Sequence, residues 1–388
     1  MPIINRIAEL ADDVKGWRHD IHQNPELLYD VHRTAGLVAE KLRAFGCDDV
    51  VTGLGRTGVV GVIKGRSDRT GRAIGLRADM DALPILEATD LPYKSRNAGK
   101  MHACGHDGHT AMLLGAARYL TETRNFDGTA VVIFQPAEEG GGGGLAMVED
   151  GLMERFNVQE VYGMHNAPGM PVGSFGLRPG PLMAAADRFD IDIEGRGGHA
   201  AKPHQCIDPV VAGSQIVVAL QTIAARTIDP LDSVVVSVTC FHGGDAYNVI
   251  PQKVRLSGTI RALREEVRAG AEARLREIVE FTARAHRAKA EVHYYRGYPV
   301  TENHPSQTDF AAEIAGTIVG ADKVDIAMPP MMGAEDFSYM LLARPGAFIF
   351  AGNGDSAGLH HPQYDFNDEL IPYGMSYWAK LVETAMPV

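Results

Sequence analysis

The sequence predicts an α/β fold: a mostly parallel sheet sandwiched by helices, with a ferredoxin-like βαββαβ domain inserted in it. Three observations predict it. Over the first half, short and nearly continuous apolar runs alternate with helical periodicities, the pattern of strands buried on both faces. From Met183 the order becomes strand, helix, two strands, helix, strand, a compact unit able to fold by itself. After Gly297 the mixed signals resume, and 388 residues are too many for one ordinary core.

Each element follows from its local pattern. Ile3 to Ile21 has apolar residues at helical spacing, and Pro25 marks the loop after it. Thr34 to Phe45 reads as a second helix closed by Gly46. The β-branched runs Gly58 to Ile63, Ala73 to Arg77, Ala130 to Phe134 and Glu160 to Gly163 read as strands, with a helix His106 to Thr123 among them. The inserted domain is read as strand Arg188 to Glu194, helix Asp208 to Thr227, strands Ser233 to Phe241 and Lys253 to Ala262, helix Glu265 to His286 and strand Ala290 to Tyr295. Helix Gln307 to Ile318, strand Ala347 to Ala351 and helix Asp368 to Thr384 complete the chain. The reading gives a discontinuous domain, 1–183 with 298–388, and an insertion, 184–297. No internal repeat stands out, and the one low-complexity stretch is Gly140 to Gly144.

Composition sets limits. The net charge of −12 argues against a surface built to bind nucleic acid. Cys47, Cys104, Cys206 and Cys240 are scattered and form no disulfide framework. The N-terminus lacks the apolar core of a signal peptide, and no run reads as a membrane span. A cytoplasmic protein is the expectation.

Metal-capable residues gather at strand ends. Arg77-Ala-Asp79-Met-Asp81 and Gln135-Pro-Ala-Glu138-Glu139 each follow a strand, His102-Ala-Cys104-Gly-His106-Asp-Gly-His109 opens a helix, and His165 ends a strand. A thiolate and an imidazole at Cys104 and His106 suit zinc, cobalt, nickel or iron. Taken alone, they fit equally a buried small side chain beside helix-capping histidines. Glu138-Glu139 alone fits a solvated acidic loop as well as a ligand beside a general base. Their joint occurrence with His165 and a late histidine, all at one end of one sheet, favours the metal.

Eight segments then appear in order: His19 to Glu26, Arg77 to Pro84, Met101 to His109, Gln135 to Glu139, Gly197 to Ala200, Asn248 to Pro251, Gly333 to Phe337 and His360 to Pro362. Together they resemble the dinuclear metallo-aminoacylase and carboxypeptidase family, in its branch of hippurate hydrolase and plant auxin-conjugate amidohydrolases. The resemblance covers nearly the whole chain. It implies two divalent ions per subunit, zinc or manganese, with cobalt or nickel also compatible. The implied ligands are Cys104 as the bridge, His106, Glu139, His165 and His360, with His360 preferred to His361. Glu138 takes the place of the general base. The inserted domain becomes a lid that makes a homodimer or a dimer-based tetramer. His199 on it resembles a histidine that reaches a neighbouring subunit and stabilises the oxyanion, and Asn248 and Arg261 resemble residues that hold substrate. Where many members have a metal-binding histidine this chain has Arg77, which stays protonated; Asp79 then becomes an orienter, in one version of a ligating histidine.

The resemblance implies hydrolysis of the amide bond of an N-acyl amino acid, a small-molecule substrate, with no nucleic-acid or membrane partner. A deacetylase or dipeptidase of the same family, for example one acting on N-acetyl diaminopimelate, is the alternative. Outside it, a Cys104 thiol hydrolase would not need Glu138, Glu139, His165 and a late histidine. A nucleotide-binding oxidoreductase fails because Leu145 stands where the fingerprint starting at Gly140 needs its last glycine. A non-catalytic binder would be expected to lose the base or a ligand, and all are present. His102 and His109 are read as supporting or helix-capping groups. His22, His32, His204, His242, His286, His293 and His304 are read as ordinary loop or surface histidines. Glu335 and Asp336 receive no role.

Overall fold

The computed structural model describes residues 3–388. The described residues divide into two compact units: a larger one up to Gly180 with Glu302–Pro329 and Asp336–Val388, and a smaller one of Pro181–Thr301 with Pro330–Glu335. The sequence reading kept 330–335 with the larger unit. Backbone bonds from Met331 N to Leu182 O (2.9 Å) and from Ala184 N to Met331 O (3.1 Å) tie that segment to the start of the smaller one. No local pattern encodes so distant a pairing.

The larger unit is built on an eight-stranded sheet in the order Asp49–Leu54, Gly58–Lys64, Thr129–Gln135, Ala73–Asp79, Glu160–Pro168, Gly346–Gly354, Phe175–Gly176, Val324–Asp325. Its four central strands are parallel, and the first two form an antiparallel hairpin at one edge. Every residue of Ala73–Asp79 is buried. Successive side chains point to opposite faces, so both faces of that strand are covered. The edge strand Asp49–Leu54 escapes the sequence reading because its burial is mixed and it offers no alternation. Helix His106–Thr123 is buried along most of its length, against helices Asn5–Gln23 and Ile371–Ala385. That fixes the helix whose first turn carries His106.

The burial of His22 corrects its reading as an ordinary loop or surface histidine. It lies on Asn5–Gln23 and is fully buried, with Nδ1 2.8 Å from Asp107 Oδ2 and Nε2 3.4 Å from Glu87 Oε1. Arg18 donates Nε to the same Asp107 oxygen at 2.8 Å. Helical periodicity marked this face as buried, but a charged Arg and His on it are read as exposed unless their acids, 65 and more residues away, are known. Burial opposes charge on His22; Asp107 and then Glu87 outweigh it and push its pKa up from 6.5 to about 9. The folded chain therefore holds this proton more tightly than the unfolded chain. The stability it contributes is complete below about pH 6.5 and is lost as pH rises through about 9. The melting temperature should fall over that window, and the fall should be shallower in His22→Gln. Identical slopes in the two proteins would refute the coupling.

The smaller unit contains Ala185–Glu194, Pro209–Leu220, Val234–His242, Lys253–Ala262, Glu265–Ala285 and Lys289–Arg296. Its antiparallel sheet has the order Val234–His242, Lys253–Ala262, Ala185–Glu194, Lys289–Arg296. In strand number this is 2-3-1-4, the ferredoxin-like order. Phe189, Ile191, Ile193, Leu256 and Ile260 form its core with the two helices. Asp208 caps the first helix, accepting from Val210 N at 2.9 Å. That helix ends at Leu220 and gives way to a π turn, Ile223–Thr227, where the sequence reading ran a single helix. Pro209–Thr227 is long and apolar enough to cross a bilayer, with a mean hydropathy of 1.3. Ala212, Ile216, Leu220 and Ile223 bury one stripe of it in this unit's core, as in an amphipathic core helix.

Candidate metal centre

All four parallel strands deliver chemistry at their C-terminal ends, the edge where such sheets place their sites. Ala73–Asp79 ends on Asp79 and leads to Asp81; Thr129–Gln135 leads to Glu138 and Glu139; Glu160–Pro168 carries His165; Gly346–Gly354 precedes His360. Cys104 and His106 come from the turn that opens helix His106–Thr123. Gly105, between them, has φ of 94°, and a Cβ there would collide with the Asn166 side chain. Only glycine allows the backbone to bring both side chains to the same place.

Cys104 Sγ lies 3.4 Å from His165 Nε2. His165 Nδ1 is 2.7 Å from the Asn166 carbonyl, and His106 Nδ1 is 2.8 Å from the Asp81 carbonyl. A ring nitrogen that donates to a carbonyl fixes the tautomer and leaves Nε2 as a lone pair. His106 Nε2 is buried and has no hydrogen-bond partner. It lies 3.9 Å from Glu139 Oε1 and 4.0 Å from Glu138 Oε2. His360 Nε2 is 3.3 Å from Glu139 Oε1. His360 also has a left-handed φ of 64°, a strained value for a non-glycine residue. Three overlapping sets, Cys104–His106–His165, Cys104–Glu139–His360 and His106–Glu138–Glu139, each keep their donor atoms within 4.8 Å. His361 is exposed and spends Nδ1 on Gln363 N at 3.1 Å.

The electrostatics of the cluster call for a cation. Burial opposes charge on His106, but Asp79, Asp81 and Glu139 push its pKa up to about 10. Burial, then Glu139, Glu138 and Asp79, hold the Cys104 thiol well above its usual range. Sulfur, imidazole and carboxylate donors with an orphaned buried nitrogen fit divalent transition metals. Binding a metal there would expel protons, so affinity should weaken in acid.

The segment carrying Glu138 and Glu139 is held at both ends. Asp81 accepts from Glu138 N at 2.9 Å and from Glu139 N at 3.1 Å. Asp336 accepts from Gln135 Nε2 at 2.6 Å, before the segment, and from Gly144 N at 2.8 Å, after it. A Cβ on Gly144 would meet the Asp336 carbonyl at 2.7 Å and one on Gly143 would collide with the Pro136 carbonyl, so these two serve close approach, whereas Gly140 and Gly142 supply left-handed φ values of 102° and 69°. Arg77 joins this frame, donating to Asp79 at 2.7 Å, Gln135 at 2.9 Å and Asp336 at 3.1 Å. Asp81 and Asp336 were visible in their motifs, but no sequence signal says which amides a carboxylate will accept. Asp79 is corrected in part. Its hydrogen-bonded histidine is His109, at 2.7 Å, whereas His106 Nε2 is 3.7 Å away. His109 in turn reaches Asn166 at 2.8 Å, so Asp79 steadies the strand end through His109 and Arg77.

Within the smaller unit, His199 pairs with Val249 in a two-stranded ribbon, and Ala200 N donates to Asn248 O at 3.0 Å. Two motifs separated by nearly 50 residues of sequence are thereby joined, with His199 and Asn248 both exposed. His199 Nδ1 accepts from Ala201 N at 3.1 Å, which leaves Nε2 free. Arg261 is half-buried on strand Lys253–Ala262.

Residues 75–384 match the model of peptidase family M20/M25/M40. The chain is 44% identical over 385 residues to a hippurate hydrolase of Campylobacter jejuni, covering 98% of each. It is 41% identical to an N-acetyl-L-cysteine deacetylase of Bacillus subtilis, over 94% of this chain and 86% of that one. Among solved structures, the YXEP protein of Bacillus subtilis, described as a dinuclear metal-binding peptidase, superposes with a TM-score of 0.85 at 34% identity, over 98% and 99% of the two chains.

Proposed function

This chain belongs to peptidase family M20/M25/M40, and from that premise we propose that it hydrolyses the amide bond of N-acyl amino acids, releasing a carboxylic acid and an amino acid. The observation that carries the reading is the convergence of Cys104, His106, Glu139, His165 and His360 beside a second carboxylate, Glu138. Both relatives described above are named for cleaving an acyl group from an amino acid.

Two divalent ions held by those five residues, zinc or manganese with cobalt or nickel also suited, would activate water and polarise the amide carbonyl. Glu138 takes the proton of the attacking water and returns it to the leaving amine. His199 Nε2 donates a hydrogen bond to the developing oxyanion, from a neighbouring subunit of a homodimer or dimer-based tetramer assembled through the smaller unit. Arg261 and Asn248 hold the substrate's free carboxylate, the partner that a guanidinium pairs with best. Asp79 keeps the strand end in place through His109. We place the reaction in the cytoplasm.

A panel of N-acyl amino acids tests the proposal after reconstitution with each of the four metals. N-benzoylglycine and N-acetyl amino acids should be cleaved, with activity abolished by chelation. Full activity in chelator that disappears on thiol alkylation would replace this reading by a cysteine hydrolase.

A further inference from the structure

The sheet of the smaller unit buries Phe189, Ile191 and Ile193 under its own helices and leaves its other face bare of them. Four arginines lie on its strands. Arg255 pairs with Asp192 at 2.7 Å, and Arg296 pairs with Glu265 at 2.7 Å and Glu272 at 2.9 Å. Among the described residues, Arg188 and Arg261 have no carboxylate within 4.0 Å. Both line one depression of about 570 Å³ on the bare face, together with Thr239, Tyr295 and Asp190. Asp190, a carboxylate in the same hollow, makes no ion pair with either arginine; its Oδ1 accepts the Ser257 hydroxyl at 2.6 Å. Two unpaired guanidiniums in one hollow stand out in a chain of net charge −12.

Register places them side by side. Arg188 is opposite Thr259 on one neighbouring strand and Tyr295 on the other, and Arg261 lies two residues beyond Thr259 on the same face. Such diagonal neighbours are about 7–8 Å apart, within joint reach of long side chains. Arg261 commits only Nη1, to the Thr259 hydroxyl and to the Ile260 carbonyl at 3.1 Å. Its remaining donors have no protein acceptor among the described residues, and burial, only partly offset by Asp187, pulls its pKa down. A half-desolvated guanidinium in this state is stabilised by an incoming anion.

We propose that Arg188 and Arg261 form a two-guanidinium site for a dicarboxylate substrate, an N-acylated aspartate or glutamate. Arg261 takes the α-carboxylate and Arg188 the side-chain carboxylate. This rests on the assignment of Arg261 above; the role of Arg188 is new. Two carboxylates on one amino acid match two neighbouring arginines, whereas the neutral amide of glutamine leaves Arg188 without its charged partner.

The test compares kcat/KM for N-acetylglutamate and N-acetylglutamine in the parent chain and in Arg188→Leu. Arg188 is exposed, and equal melting temperatures check that the fold is kept. The parent should prefer the glutamate, and Arg188→Leu should lower the glutamate-to-glutamine ratio about tenfold or more, through KM. Arg188→Lys should restore part of it. An unchanged ratio overturns the proposal. A fall in the N-succinylalanine to N-acetylalanine ratio instead would place the second carboxylate on the acyl group, and overturns the acidic-amino-acid assignment. Arg261→Gln should raise KM for every substrate. If it does not while Arg188→Leu shifts the ratio, the reading of Arg261 fails and with it the two-guanidinium site, and Arg188 alone selects the side-chain carboxylate. Calorimetric affinities for glutamate against glutamine make the same comparison without turnover.

Discussion

Glu138→Gln is expected to bind metal as the parent chain does and to turn over N-acyl amino acids about 10²–10⁴-fold more slowly, the usual contribution of a positioned general base. The substitution keeps size and shape and removes the negative charge and with it the capacity to accept a proton. The backbone at Glu138 is held by Asp81, and that bond does not involve the Glu138 side chain, so the loop should not move. Glu139, with His360 at 3.3 Å and His106 at 3.9 Å, keeps its place in the cluster. The loss should therefore fall on kcat, with KM and metal content near those of the parent. Metal analysis and steady-state kinetics on one preparation decide it. Near-parental kcat would sink the assignment, and lost metal would move Glu138 into the ligand set.

Cys104→Ala should lose metal and activity together. Cys104 belongs to two of the donor sets, one with His106 and His165 and one with Glu139 and His360. A group shared in this way is the natural bridge between two ions, and removing it weakens both. Its thiol is held well above its ordinary range by burial and by Glu139, Glu138 and Asp79, so a cation beside it is what would make it a thiolate. Elemental analysis should find less metal per chain than in the parent. The stabilisation that added metal gives the parent chain should shrink in parallel. Intact stoichiometry in Cys104→Ala would refute the bridging role, whatever the effect on rate.

Most of the site was legible before the structure. Cys104, His106, Glu138, Glu139 and His165 sit at strand ends and loops that apolar periodicity marks, and side-chain chemistry does the rest. His360 was chosen over its neighbour by resemblance alone. Their side-chain contacts differ: His360 Nε2 lies 3.3 Å from Glu139 Oε1, and His361 Nδ1 accepts from Gln363 N. His22 went the other way. A histidine on a helix reads as exposed unless Asp107 and Glu87 are known to meet it.

The sequence by itself determined most of the strand and helix pattern, the parallel centre of the sheet, the ferredoxin-like insertion and the identity of the metal-capable residues. Those follow from periodicity and side-chain chemistry, which are local. The tertiary structure decided who holds whom: Asp81 on the amides of Glu138 and Glu139, Asp336 on Gly144, Asp79 on His109 rather than His106, and residues 330–335 in the smaller unit. It also decided which arginines stay unpaired on the smaller sheet. Each of these is a contact between residues far apart in the chain, set by strand register and packing, and no window of sequence contains both partners.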